Sequence, residues 1–286
     1  MLGGIVRTAR PRQWIKNLLV FAAPIAGGLV LDPTHLIPAL WAFVAFCLSA
    51  SAVYFVNDAL DVEADRAHPR KRNRPIAAGV VPVPVAYVVA ALLFLAGIAV
   101  ALLGSVPLLI VIVCYDVIQL AYCLWLKHVS VLDIAVVSSG FLLRTIAGGV
   151  ASDIPLSQWF LLVAVFGSLL IVAGKRYGEI KANPEAAGAV RGSLKAYTES
   201  YLRFVWQAGA AILILGYSLW AFSLTGSSSL WASLSVAPFI LAVLRYAQHI
   251  DRGDAEAPED IALADRTLQV LALLWIGLIA VGLYAG

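Results

Sequence analysis

Four residues at the end of an apolar block hold the densest chemistry in the sequence: Asn57, Asp58, Asp61 and Asp65. On a continuing helix the three aspartates fall at i, i+3 and i+7, so their carboxylates share one face. Asn57, four residues before Asp61, joins that face. Like charges on adjacent turns repel one another and stay together only around a cation. Hard oxygen ligands suit Mg2+, which keeps several waters and is usually held by one or two carboxylates plus substrate phosphates. Asn57, Asp58, Asp61 and Asp65 therefore read as metal ligands, with the three aspartates as the groups on which catalysis depends, in a site built for a diphosphate. A basic run from Arg66 to Arg74 follows at once and supplies charge for further phosphate oxygens. Arg66, Arg70 and Arg72 read equally well as solvated charges that set membrane topology.

The elements that must position these groups are membrane spans. The chain has 286 residues, of which 62% are hydrophobic and 13% charged, about half the roughly 25% charged residues of a soluble protein. That excludes an ordinary soluble fold. The apolar residues come in blocks of roughly 18 to 24, the length that crosses a hydrocarbon core of about 30 Å as helix. The spacing predicts nine spans, at roughly 14–31, 36–60, 81–103, 106–126, 130–150, 157–174, 202–224, 230–248 and 268–285. The fold class is thus an all-α integral membrane protein, with residues 1–286 as one transmembrane catalytic domain. Residues 1–31, basic and then apolar, read as a retained helix rather than a cleaved signal. Cys47, Cys114 and Cys123 all lie in apolar blocks and read as small buried hydrophobes.

The connections at 31–35, 104–107, 151–156 and 225–229 lack Lys and Arg, whereas the others are basic. The positive-inside rule puts the basic side, with the aspartates, in the cytoplasm. The N-terminus is then inside and the C-terminus outside. Three cytoplasmic loops stand out, 61–79, 175–201 and 249–267. The last is acidic, with Asp251, Asp254, Glu256, Glu259, Asp260 and Asp265, and reads either as a solvated linker or as a lid. Arg144 lies deep in the fifth span. A charge at that depth faces a cavity or a partner, so it either contacts a substrate phosphate or pairs with an acid such as Asp116. Asp116 and Gln119 share a face of the fourth span and suggest a polar network. Lys127 and Asp133 flank a turn and are expected to pair with each other.

The stretch Asn57-Asp58-x-x-Asp61-x-x-x-Asp65, followed by His68-Pro69-x-Lys71-x-x-Arg74-Pro75-Ile76-Ala77-x-Gly79, resembles the first aspartate-rich motif of the UbiA-type intramembrane prenyltransferase superfamily. That resemblance implies nine transmembrane helices around a central cavity that opens to lipid. Typical aromatic prenyltransferases of the superfamily carry a second Asp-x-x-x-Asp after span six. Here the place reads Gly174-Lys175-Arg176-Tyr177-Gly178-Glu179-Ile180-Lys181, one acid and three cations. The stretches from Arg10 to Asn17, Leu143 to Gly149, Tyr197 to Trp206 and Pro258 to Leu263 are similar to one branch, the decaprenyl-phosphate (polyprenyl-phosphate) 5-phosphoribosyltransferases of actinobacterial cell-wall arabinan synthesis.

The resemblance implies Mg2+-dependent transfer of 5-phosphoribose from 5-phosphoribosyl 1-diphosphate to a polyprenyl phosphate lipid, with release of diphosphate, for arabinogalactan precursors. Lys175, Arg176, Lys181, Lys71 and Arg74 are expected to clamp phosphates, with Lys16 and Asn17 as lesser candidates. Tyr177 and Glu179 are expected at ribose hydroxyls. The acceptor phosphate is already ionised near neutral pH, so no general base is needed. The alternative within the superfamily moves a polyprenyl group from diphosphate to an aromatic acceptor. The expected partners are the two substrates and the bilayer of a bacterial cytoplasmic membrane, with no nucleic acid; a homo-oligomer is left open.

Overall fold

The computed structural model describes residues 1–69, 71–182, 196–226, 228–255 and 257–284. Arg70, Glu256 and the segment 183–195 of the loop after span six lie outside the described residues, as do Ser227 and the last two residues. The described residues are helical throughout, with no β-strand among them. The chain forms two compact units. One comprises Met1–Leu126 with Leu143–Pro155, the other Lys127–Leu142 with Leu156–Gly286.

The first unit opens with α1 (Leu2–Ala9), a 3-10 helix over Pro11–Phe21 and the short α2 (Ala22–Ala26). The span expected at 14–31 is therefore not one α-helix. Pro11 and Pro24 each lack a backbone donor, and Gly27 and the left-handed Gly28 stop helix growth. Hydropathy registers apolar length and is blind to these breaks. A 3-10 helix rises about 2.0 Å per residue, so the eleven-residue segment and α2 still reach close to the roughly 30 Å hydrocarbon thickness.

Next come α3 (Pro33–Leu60), α4 (Val62–Ala67), α5 (Val83–Gly104) and α6 (Val106–Leu124). Helix starts follow local chemistry. The Asp32 carboxylate accepts the Thr34 amide at 2.9 Å and the Ser105 hydroxyl accepts the Leu108 amide at 3.2 Å, each beside a proline in the first turn. Small residues bring α3 and α5 together. Ala86, Ala90, Gly97 and Ala101 are the buried positions of α5, while Val88, Leu92, Leu95 and Leu102 point outward as a lipid-facing surface. A Cβ on Gly97 would come within 2.8 Å of Ser49 Oγ, so contact at that depth requires glycine. The core around Phe46, Leu108 and Ile112 also takes in Val20 of the 3-10 helix and Ala147 of α7 (Leu132–Ala151), which fixes the start of the chain to α3.

The second unit contains the N-terminal half of α7, α8 (Gln158–Ala182), α9 (Glu199–Ser223), α10 (Ser228–Arg252), α11 (Pro258–Ala264) and α12 (Arg266–Tyr284). Its core is built from Tyr177, Leu202, Trp206, Tyr217, Phe239 and Ile250. Among the described residues eight helices are long and apolar enough to cross a membrane, and they match the second to ninth spans. Helix enters two expected loops. α8 continues to Ala182, so Lys175 to Lys181 stand on its last turns. The acidic connection contains α11, with Ala255 and Ile261 buried and Asp251, Asp254 and Asp260 exposed. Cys47 and Cys123 are buried as expected, but Cys114 is exposed.

Candidate active site

In the first unit the aspartates stand at the junction of α3 and α4. The helix is interrupted at Asp61 (φ −90°, ψ 8°), yet Asp61 N still bonds Asn57 O and Asp65 N bonds Asp61 O, at 3.0 and 2.8 Å. The near-helical continuation keeps Asp58 and Asp65 on one side, and both are almost fully buried, at 2% and 3% exposure. One guanidinium nitrogen joins them. Arg74 Nη1 donates to Asp58 Oδ1 at 3.0 Å and to Asp65 Oδ2 at 2.7 Å. Arg10 closes the other side, its Nη2 lying 2.7 and 2.9 Å from the two Asp58 oxygens. The cation that the aspartates require is thus supplied here by two arginines.

Arg10 was not singled out by the sequence reading; it stood there only as one member of a basic stretch. Forty-eight residues separate it from Asp58, and only the need to balance buried carboxylates could have pointed to it. Asn57 and Asp61 are half-buried on the same turns. Lys71 is half-buried on a short 3-10 turn, Lys71–Asn73. The carboxylate pair fits a hard divalent ion. Arg74 Nη1 occupies the point between two carboxylate oxygens where a cation is held. Among the described residues no three His, Cys, Asp or Glu side chains form an all-protein metal cage. Two carboxylates completed by water and phosphate is the arrangement Mg2+ favours.

Deeper in the same unit, Arg144 on α7 is 8% exposed. Its Nε donates to Asn17 Oδ1 at 2.7 Å and its Nη2 to the Tyr115 hydroxyl at 3.1 Å, with the guanidinium over the rings of Phe46 and Tyr115. Asn17 is buried and holds this pose by donating to Cys47 Sγ at 3.2 Å, whereas Lys16 is exposed. The expected Arg144–Asp116 pair is absent. Asp116 Oδ2 accepts the Ser49 hydroxyl at 3.3 Å and its Oδ1 has no partner. Neutral hydrogen-bond acceptors and aromatic faces hold Arg144 in place.

The second unit carries the other predicted cations. Arg176, 3% exposed, donates to Glu179 Oε2 at 2.9 Å, and its Nε lies 3.4 Å from Asp133 Oδ2 without hydrogen-bond alignment. Asp133 is fully buried and also accepts the Tyr197 hydroxyl. Burial and the bond to Asp133 both push the Tyr197 phenol above its usual range. Tyr177 is fully buried, donating its hydroxyl to Glu199 at 2.9 Å and accepting from Arg203 at 2.9 Å. This hydroxyl ties α8 to α9. Lys175 is half-buried, while exposed Lys181 donates to the Asp251 carbonyl and lies over the Tyr177 ring.

The end of the acidic connection is clamped as well. Asp265 Oδ2 takes His249 Nε2 at 2.6 Å and Arg245 Nε at 2.7 Å, and Oδ1 takes the Leu268 amide at 3.0 Å. The His249 bond first, then the amide and Arg245, hold its carboxyl well below the ordinary range. A pocket of about 520 Å3 lies beside the clamp. A folded-state pKa below the unfolded value of about 3.9 gives a contribution that is complete above that value and disappears as pH falls through the folded value. Asp265→Asn should therefore lower the melting temperature at pH 7. The gap to wild type should narrow in melts taken progressively below pH 4; a gap independent of pH would show that the carboxylate charge is immaterial there.

Comparison with known proteins gives a consistent result. The UbiA prenyltransferase family model matches residues 19–268. The chain is 52% identical over its whole length to 96% of the decaprenyl-phosphate phosphoribosyltransferase of Mycobacterium tuberculosis (strain CDC 1551 / Oshkosh). It is 50% identical to the Corynebacterium glutamicum protein of the same name, over 98% of this chain and 87% of that one. In fold it is similar to a UbiA homologue from Archaeoglobus fulgidus bound to DMAPP and Mg2+, with a TM-score of 0.75 at 16% identity over 97% of each chain.

Proposed function

The chain belongs to the UbiA prenyltransferase family, and from that premise we propose that it transfers 5-phosphoribose from 5-phosphoribosyl 1-diphosphate to a decaprenyl-type polyprenyl phosphate, in the supply of arabinogalactan precursors. The observation that carries this reading is the 52% identity, across the full chain, to a protein of that named activity. The buried Asp58–Asp65 pair on a shared cation supports it chemically.

In this reading Asp58 and Asp65, with Asn57 and Asp61 beside them, hold Mg2+ and, through it, the donor diphosphate. Bound there, Mg2+ neutralises charge that builds on the departing diphosphate. Arg74 and Lys71 take further diphosphate oxygens, since a guanidinium that forks onto carboxylate forks equally onto phosphate. An acceptor phosphate oxygen forms the new bond to ribose C1 as the C1–O bond to diphosphate breaks and its electron pair leaves with the diphosphate. Attack from the opposite face inverts C1. The acceptor brings no proton that must be removed, which agrees with a carboxylate set committed to a cation. Arg144, its guanidinium fixed by Asn17 and Tyr115, is assigned to a substrate phosphate. The donor's 5-phosphate calls for cations of its own, and Lys175, Arg176 and Lys181 are assigned to it. The basic connections support a cytoplasmic site, with the N-terminus inside and the C-terminus outside.

The test uses sealed, inverted bacterial membrane vesicles containing the protein. Labelled 5-phosphoribosyl 1-diphosphate, which cannot cross the bilayer, should be joined to added decaprenyl phosphate without permeabilisation, and chelating Mg2+ should stop the reaction. Lys175→Ala should raise the apparent KM for the donor about tenfold, the loss of one charge-assisted contact. A donor lacking its 5-phosphate should show a similar deficit with wild type. Joining of a polyprenyl diphosphate to an aromatic acceptor, with no use of phosphoribosyl diphosphate, would overturn the assignment. Reaction only after permeabilisation would overturn the orientation.

A further inference from the structure

We propose that Arg10 is a gatekeeper of the metal site: its guanidinium keeps divalent cations off Asp58 until a diphosphate arrives to take the guanidinium over. The inference rests on the reading that a donor diphosphate binds at this aspartate pair. Arg10 and Arg74 between them occupy both oxygens of Asp58 and one of Asp65, all within 3.0 Å. A divalent ion needs those same lone pairs at about 2.0–2.1 Å, and two guanidinium charges beside them oppose its entry.

The placing of Arg10 is enforced by its surroundings. Its backbone is left-handed, at φ 52° and ψ 60°, where it caps the end of α1 with its N–H on Arg7 O and turns the chain into the 3-10 helix. Both flanks meet α3 at one hydroxyl: Trp14 Nε1 donates to Ser51 Oγ at 3.1 Å, and the single Ser51 proton has Cys47 O at 2.7 Å as its nearer acceptor and Ala9 O at 3.1 Å as the other. The guanidinium rests over the ring of Tyr54, 4.6 Å from its centre, an aromatic face that holds a cation in any partner state. At 28% side-chain exposure, Arg10 can still be reached from outside, whereas Asp58 cannot.

A diphosphate offers Arg10 a pair of anionic oxygens, as the carboxylate it leaves does, and a guanidinium that meets Asp58 through Nη2 alone can fork onto them with two nitrogens. The exchange frees Asp58 for the ion that accompanies the diphosphate, so ion and diphosphate favour each other's binding. Couplings of this kind commonly amount to about 5- to 150-fold.

The test uses full-length protein purified in detergent. Mn2+ is titrated alone and followed by the spin-resonance signal of the free ion. Arg10→Gln should bind Mn2+ about tenfold more tightly than wild type, because Asp58 loses a competing cation. Arg10→Lys, which keeps the charge, should stay near wild type. In a second arm, labelled inorganic pyrophosphate is bound at saturating Mg2+, and Arg10→Gln should bind it about tenfold more weakly. Tyr54→Leu frees Arg10 without removing its charge and should tighten Mn2+ by a smaller factor, which keeps the test open if Arg10→Gln folds poorly. Unchanged or weaker Mn2+ binding in both Arg10→Gln and Tyr54→Leu overturns the proposal. Tighter Mn2+ with unchanged pyrophosphate binding overturns the hand-over. Tighter Mn2+ while even wild type binds no pyrophosphate supports the gate and overturns the donor reading instead.

Discussion

Asp65→Asn should lower turnover more than about 100-fold while leaving the amount of folded protein close to wild type. The factor corresponds to about 2.7 kcal/mol of lost transition-state stabilisation, within the several kcal/mol that a bound metal supplies to a departing anion. Asparagine keeps the shape of the side chain and one oxygen but removes the charge that draws a divalent ion. Folding should tolerate it because Arg74 retains Asp58, 3.0 Å from its Nη1, and so is not left buried without an anion. Asp58→Asn should be equally inactive but less stable, since it strips Arg10 of the carboxylate and weakens Arg74 at the same point. Loss of one partner from a buried ion pair commonly costs about 3–5 kcal/mol. The measurements are specific activity with phosphoribosyl diphosphate and melting temperature in the same detergent. Near-normal turnover in Asp65→Asn would remove that residue from the metal shell. A collapse in yield with normal specific activity would make it structural.

Gly148→Ala should be among the most damaging single substitutions away from the charged site. A Cβ on Gly148 would stand 1.8 Å from the Val20 carbonyl oxygen and 2.8 Å from its carbon. Those atoms are backbone of the 3-10 helix at buried Val20, so no side chain can rotate aside to make room. Overpacking commonly costs about 1–3 kcal/mol where neighbours can adjust; here the cost should reach about 3 kcal/mol or more. The close approach also sets the register of Arg144 against Asn17, one turn away on each element, so whatever protein survives should have lost the 2.7 Å bond between them. Gly277→Ala, on a face of α12 with no heavy atom within 4 Å of a new Cβ, is the matched control and should melt like wild type. Equal melting of the two variants would mean that the 3-10 helix can retreat from α7.

Hydropathy located eight of the long helices because lipid imposes a length and a polarity that composition records directly. It misplaced what lipid does not govern. The apolar run ends near Gly174, but α8 continues to Ala182, since a helix leaving the membrane keeps its backbone bonds while its side chains turn polar. The first apolar block gave no sign of its 3-10 winding because that depends on Pro11, Pro24 and the glycines after them, not on mean polarity. At the site, the i, i+3, i+7 pattern correctly put Asp58 and Asp65 on one side, as local periodicity can. It could not show that Arg10 closes the set, because that pairing joins distant segments. Nor could it show that Glu199 and Arg203 engage the Tyr177 hydroxyl from another helix.

The left-handed backbone at Arg10 also bears on how the protein could be engineered. Glycine adopts that conformation without penalty, whereas a residue with a Cβ pays for it in stability. A campaign selecting only for thermal robustness would meet two opposed effects at this position, relief of the backbone and exposure of an unbalanced Asp58. High Mg2+ in the selection medium would mask the second. Variants enriched there would be easier to purify and poorer at discriminating a loaded donor from a bare ion, so stability screens on this chain need a functional counter-selection at low metal.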